Sequence, residues 1–229
     1  MTAELVDHHE EVPPSRGTAA RMRRALRRQQ VISAASTLFD SAGYHAATMT
    51  DIAALAGWSK PIVYRQFSGK LELYLVVLQE HIDNLTQSVE RALYSNATNR
   101  YRVQAAVQAY FDFADQQPAG FRLVLDPDLS NEPSVQWRIG RATDACVNAV
   151  TAAIAHDSDL SPVQAHLMAS GLVGASQFAA RYWLDTGRSM PKADAVAGVV
   201  TLCWGGLAAV PLRAGEESEQ AEVFFPTGE

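Results

Sequence analysis

The sequence predicts an all-α protein on three observations. Apolar residues recur at helical spacing over nearly everything after residue 20, strand-like alternation is scarce, and prolines and glycines punctuate the periodic stretches. The pattern divides into an N-terminal three-helix bundle holding a helix-turn-helix and a larger helical body. With 229 residues, 48% of them hydrophobic and 19% charged, the chain has material for sizeable cores, and wholesale disorder is excluded.

Residues 1–20, with Pro13-Pro14-Ser15-Arg16-Gly17, read as a flexible arm. A first helix is expected from about Arg21 to Ala42, burying Val31, Ala35, Leu38 and Phe39, and Gly43 ends it. Thr48 caps the next helix, with Asp51 at capping-box spacing. Gly57 supplies the permissive backbone of a tight turn, Ser59 caps the following helix, and Pro61 falls in its first turn, where a missing N–H costs little. A long helix starts near Lys70 with a stripe of Leu71, Tyr74, Leu78, Ile82, Leu85, Val89 and Leu93. Further helices are expected at roughly 100–116, 118–125, 133–156, 162–187 and 191–210, separated at Pro118, Asp126-Pro127, Ser161-Pro162 and Pro191. The resulting organisation is an arm (1–20), a helix-turn-helix domain (21–70), an effector-binding and dimerisation domain (71–214) and a flexible tail (215–229).

Residues 48–67 carry the chemistry. A helix-turn-helix places its second helix in the DNA major groove. Around that helix Val63 and Phe67, four apart, point inward, whereas Pro61, Ile62 and Arg65 lie on the opposite face, flanked by Lys60, Tyr64 and Gln66. Arg65 suits a bidentate pair with guanine and Ile62 a thymine methyl; Tyr64 and Lys60 suit phosphates, and Ser59 joins the same surface. Thr48 is assigned to a phosphate, Thr50 to the groove edge, and Lys70 to the same DNA strand. The plainer reading is a helical hairpin with a solvated polar face.

Charge placement favours DNA. The net charge is −6, yet residues 16–70 carry +7, residues 1–15 carry −4, and residues 71–229 carry −9. Nucleic-acid attraction follows local patches rather than totals. Arg21, Arg23, Arg24, Arg27 and Arg28 form a basic run suited to backbone attraction, with the arm entering a minor groove; a solvated helix start is the rival reading.

Other classes find less support. The first fifteen residues lack the apolar run of a signal peptide, and Cys146 and Cys203 read as reduced residues of a cytoplasmic protein. Residues 195–212 are uncharged but contain Thr201, Gly205, Gly206 and Pro211, so a buried or dimerising helix is expected there rather than a membrane span. The histidines His8, His9, His45, His81, His156 and His166 lack metal-ligand spacing, and no nucleophile triad or phosphate-cradling loop is present, so neither an enzyme nor a cofactor is expected.

The run Arg27 to Phe39, then Gly43-Tyr44, Thr48, Asp51-Ile52-Ala53, Ala56-Gly57, Ser59-Lys60, Tyr64, Phe67 and Lys70, resembles the TetR family of bacterial transcriptional regulators over residues 24–75. Two departures are Pro61, where glycine is common, and Trp58, where a small apolar residue is common; both bear on operator preference. The resemblance implies a homodimer on double-stranded operator DNA, paired through its last two helices. Gly171, Gly174, Ala175 and Ala179 offer close approach there, and Val199, Cys203, Trp204 and Leu207 a bulky stripe.

The stretches 70–75, 109–113, 171–174, 180–184 and 204–207 are further similar to actinobacterial TetR-type regulators of fatty-acid synthesis, which respond to long-chain acyl-CoA. That resemblance implies an effector weakening operator binding. An apolar cavity for it would be lined by Leu85, Val89, Leu93, Val103, Val107, Tyr110, Phe111, Phe121, Cys146, Val150 and Phe178, unless these are simply packed core. Arg122, Arg138 and Arg141 are candidates for the head group by charge alone. Two alternatives stand beside this reading: a repressor of an efflux or degradation gene answering another hydrophobic molecule, and a helical protein-interaction module. The sign of regulation depends on where the operator lies, which the sequence does not contain.

Overall fold

The computed structural model describes residues 16–94 and 98–207. Among them every regular element is helical: α1 (Arg16–Ala46), α2 (Met49–Leu55), α3 (Lys60–Tyr64), α4 (Lys70–Leu93), α5 (Asn99–Gln116), α6 (Pro118–Leu125), α7 (Pro133–Asp157), α8 (Pro162–Asp185) and α9 (Lys192–Leu207). The chain forms two compact units that divide between Tyr74 and Leu75. Of the expected arm, residues 16–20 belong to α1, and the rest lies outside the described residues, as does the expected tail at 215–229.

In the first unit α1 starts five residues earlier than its apolar pattern suggested, because arginine-rich sequence is good helix material even without a buried face. At Gly43 the backbone leaves the helix with φ 76° and ψ 167°, a conformation glycine adopts freely. Val31, Ile32, Ala35 and Phe39 of α1, Met49, Ile52 and Ala53 of α2, and Val63 and Phe67 are buried together as the core of this unit; Leu38 is only half-buried. Phe39, Tyr44 and Tyr74 add an aromatic cluster, with Tyr74 edge-on to Phe39 at 5.3 Å and to Tyr44 at 5.0 Å.

In the second unit, prolines open α6, α7 and α8, where their missing N–H goes unmissed. Ser161 and Gln164 form a full capping box at α8. Helix α8 packs on α5, α6, α7 and α9, and α5 also packs on α6 and α9, so α5 and α8 are the centre of this unit. Leu78, Ile82, Leu85 and Val89 of α4 are buried as expected, and Val77 joins them. Two ion-paired clusters decorate the unit. Lys192 reaches Asp112 at 2.8 Å and Asp115 at 2.9 Å, and Arg181 reaches Asp126 at 2.7 Å. No helix among the described residues is long and apolar enough to cross a membrane.

Candidate nucleic-acid interface

The turn between α2 and α3 sets the interface. Thr48 caps α2: its hydroxyl oxygen accepts from the Asp51 backbone N–H at 3.1 Å, and its hydroxyl donates to the Asp51 carboxylate at 2.6 Å. The Thr48 side chain is therefore engaged in holding its own helix. Gly57 turns the chain at φ 72°. Ser59 stands at the N-cap of α3 with extended backbone, but its side chain makes no capping bond, and Pro61 sits in the first turn.

Helix α3 is short, ending at Tyr64 with Arg65 as its C-cap, and the Phe67 N–H to Val63 carbonyl bond of 3.1 Å carries the turn onward. Val63 and Phe67 are fully buried, as the helical wheel predicts. Thr50, Ser59, Lys60, Pro61, Tyr64 and Arg65 are exposed, and Ile62 is half-buried. Lys60 lies 5.9 Å from the Tyr64 ring, so the two share one patch. One surface thus offers a guanidinium, an ammonium, a phenol and small hydroxyls, a mixture suited to phosphates and base edges.

Lys70 is placed differently from the sequence expectation. Its ammonium donates to the carbonyls of Tyr44 at 2.8 Å, Ala47 at 2.9 Å and His45 at 3.3 Å, and lies 4.4 Å over the Tyr44 ring. These carbonyls lie where the chain leaves α1, and a cation with three N–H donors satisfies them. Lys70 ties the first unit together instead of projecting toward a DNA strand. Arg28 is likewise occupied, donating to the Gln66 carbonyl at 3.3 Å and stacking 4.4 Å over Phe67. Just ahead of α4, the Ser68 N–H and hydroxyl both donate to Glu72, which holds that carboxyl below the usual carboxylate range.

Sequence reasoning missed the contacts of Trp58. Its indole N–H donates to Gln30 at 3.2 Å, and the Arg27 guanidinium lies 5.6 Å from its ring. The departure from a small residue at this turn was the available signal.

In the second unit, Leu85, Val89, Val103, Val107, Tyr110, Phe111, Phe121, Cys146 and Val150 are buried, whereas Leu93 is half-buried. Phe178 corrects the expectation that it lines the same space: it is 74% exposed, on the outer face of α8. Burial pushes the Tyr110 hydroxyl well up and the Cys146 thiol up, so both stay neutral at physiological pH. Both cysteines are unbridged thiols. A small recess of about 30 Å³ lies among Phe121, Arg122, Leu125, Asp126, Arg181, Leu184 and Asp185. Arg122 there pairs loosely with Asp185 at 3.7 Å, while Arg138 and Arg141 flank the ring of Trp137. Arg122 lines that recess, whereas Arg138 and Arg141 do not. No group of three or more His, Cys, Asp or Glu among the described residues could hold a metal ion.

Comparison with known proteins agrees with this architecture. Residues 31–77 match the bacterial regulatory proteins of the tetR family, and residues 88–219 match the tetracyclin repressor-like C-terminal domain. The chain is 48% identical over 192 residues to the HTH-type transcriptional activator FasR of Mycolicibacterium smegmatis, covering 84% of this chain and 88% of that one. Among solved structures, a tetR-family transcriptional regulator from Streptomyces coelicolor superposes with TM-score 0.68 at 25% identity, covering 80% of this chain and 81% of that one. The regulator FadR from Bacillus subtilis, solved in complex with stearoyl-CoA, shares the fold with TM-score 0.67 at 15% identity, covering 78% of this chain and 98% of that one. The relatives are DNA-binding transcriptional regulators, not enzymes, and this chain belongs to the TetR family of bacterial regulatory proteins.

Proposed function

We propose that this protein is a cytoplasmic homodimer that binds operator DNA controlling genes of fatty-acid metabolism, and that long-chain acyl-CoA weakens that binding. Residues 21–70 form the DNA-reading part and 71–214 the effector-binding and dimerising part. The observation that carries the DNA reading is the outward set on and around α3, with Lys60, Tyr64 and Arg65 exposed while Val63 and Phe67 are buried. Arg65 reads a base, Ile62 touches a methyl, and Ser59, Lys60, Pro61, Tyr64, Thr48 and Thr50 surround them against the backbone and groove edge.

The effector reading is supported by the 48% identity to FasR and by the stearoyl-CoA in a protein of the same fold. It is also supported by the buried apolar row from Leu85 to Val150, whose hydrocarbon character matches an acyl chain. Dimerisation is supported by α8. Val163, Leu167, Gly171, Gly174, Phe178 and Tyr182 recur at spacings of three and four, and Val163, Leu167, Phe178 and Tyr182 are each more than 60% exposed.

Two half-sites a helical turn apart, about 34–36 Å, tolerate little spacing error between paired recognition helices. An effector that alters that spacing lowers affinity through a coupling free energy of about 1–3 kcal/mol. The test is a mobility-shift titration on DNA selected for binding: stearoyl-CoA is expected to release the protein, and unchanged binding at saturation sinks the effector claim. Release by another hydrophobic molecule instead would point to an efflux or degradation regulator. Arg65→Ala is expected to abolish sequence-specific binding with the fold intact; retained specificity would remove Arg65 from the base-reading role.

A further inference from the structure

Two adjacent arginines of α1 face different tasks. Arg28 is spent inside the first unit, on the Gln66 carbonyl and the Phe67 ring. Arg27 donates its Nε to the Arg23 carbonyl at 3.2 Å, and its terminal amino groups make no hydrogen bond or ion pair among the described residues. Its guanidinium rests beside Trp58 at 5.6 Å. Trp58 is itself fixed: Gly57 turns the chain on one side, α3 starts at Lys60 on the other, and the indole N–H is tied to Gln30 at 3.2 Å.

We propose that Trp58 is a positioning residue for DNA binding, holding Arg27 of α1 so that its terminal amino groups meet a backbone phosphate beside the recognition helix. The proposal rests on the DNA-binding reading above. An arginine on an exposed helix face samples many rotamers, and ordering it on binding costs entropy. A ring beside the guanidinium, within cation–π range, limits those rotamers while leaving the planar donor edge open, and that edge matches a phosphate in bidentate geometry. The Gln30 bond fixes the ring, so α1 and the turn preceding α3 share one rigid support. Ser59 and Lys60 follow Trp58 directly in sequence and are exposed, so the Arg27 donors extend the basic surface of α3 onto α1. A smaller residue at 58 would leave Arg27 without its aromatic neighbour. The contact reads a phosphate, so it adds affinity without sequence information.

The test is the salt dependence of operator affinity, measured on the full-length protein and its selected operator. Arg27→Gln is expected to weaken binding roughly tenfold at low salt, equally for operator and unrelated DNA, and to lower the log–log salt slope by about 0.9. Trp58→Ala is expected to lower the slope similarly, and to lower it no further when combined with Arg27→Gln. Trp58→Phe, which keeps an aromatic face but loses the Gln30 bond, is expected to retain most of the slope and guards against a variant that fails to fold. An unchanged slope in Arg27→Gln overturns the proposal. So does a Trp58→Ala protein that loses affinity with its slope intact, since Trp58 would then serve only the turn. Either result leaves the Arg65 test of sequence reading untouched.

Discussion

Gly120 of α6 lies against the imidazole of His81 in α4 so closely that a β-carbon added at Gly120 would stand 2.3 Å from the His81 Nδ1. The same imidazole nitrogen is 3.3 Å from the side-chain oxygen of Gln117, the N-cap residue of α6, and the ring meets Phe113 edge-on at 6.4 Å. Glycine at 120 therefore sets the close approach of these two helices. Gly120→Ala is expected to destabilise the protein by about 1–3 kcal/mol, the usual cost of overpacking. His81→Ala should recover much of that loss in the double variant, a coupling readable by denaturant unfolding. Gly140→Ala is the contrast: nothing lies within 4 Å of its added carbon, and it sits exposed within α7. That change is expected to stabilise by about 0.4–1 kcal/mol.

Lys70 supplies a second test. If its three carbonyl bonds are its task, Lys70→Met should destabilise the first unit by about 1 kcal/mol, since part-buried acceptors lose their donor. Operator affinity should then fall with folding while the salt slope stays fixed. A slope shallower by about 0.9 in a fully folded Lys70→Met protein would restore the phosphate contact expected from sequence.

What was legible in the sequence, and what was not, divides along physical lines. Helix positions from α5 to α8 could be read to within two residues because proline and capping signals act locally, as at Ser161-Pro162. The burial of Val63 and Phe67 followed from a four-residue spacing around a polar face. Lys70 was not legible in the same way: a long flexible side chain can point out to solvent or back onto carbonyls 23 to 26 residues away, and periodicity is silent on which. Phe178 failed for another reason. Helix α8 is apolar on two faces, burying Ala169, Leu172, Val173 and Ala180 while exposing Leu167, Phe178 and Tyr182, so its pattern does not say which face is inside.

The Lys192 cluster predicts a plateau in pH. Hydrogen bonding to Lys192 holds the Asp115 carboxyl below its ordinary range, and bonding to Asp112 and then Asp115 raises the Lys192 ammonium above its own. The depressed aspartate contributes stability that is present above its unfolded pKa and lost as pH falls through the folded one. The raised lysine contributes stability that is present below its unfolded pKa and lost as pH rises through the folded one. Both are therefore intact between about pH 6 and 9. The difference in unfolding midpoint between the native protein and Lys192→Met should be flat there, shrinking in acid below about 4 and in alkali above about 10.4. Its size should be modest, because these groups meet solvent.

The exposed stripe of α8 yields the last prediction. Phe178, 74% exposed, lies between Gly174 and Tyr182 on a face with no apolar cover among the described residues. If that face meets its symmetry mate, a large aromatic near the two-fold axis is desolvated on pairing, and its loss commonly costs at least about 2 kcal/mol. Phe178→Arg should raise the dimer dissociation constant at least about 30-fold, since each 1.4 kcal/mol is a factor of ten. Sedimentation would read this directly, and circular dichroism should show the helices intact, because an already exposed position has no core to lose. Operator binding should fall with it, as one protomer engages only one half-site. A Phe178→Arg protein that remains dimeric at micromolar concentration would remove this stripe from the interface and leave its four exposed apolar side chains to another partner.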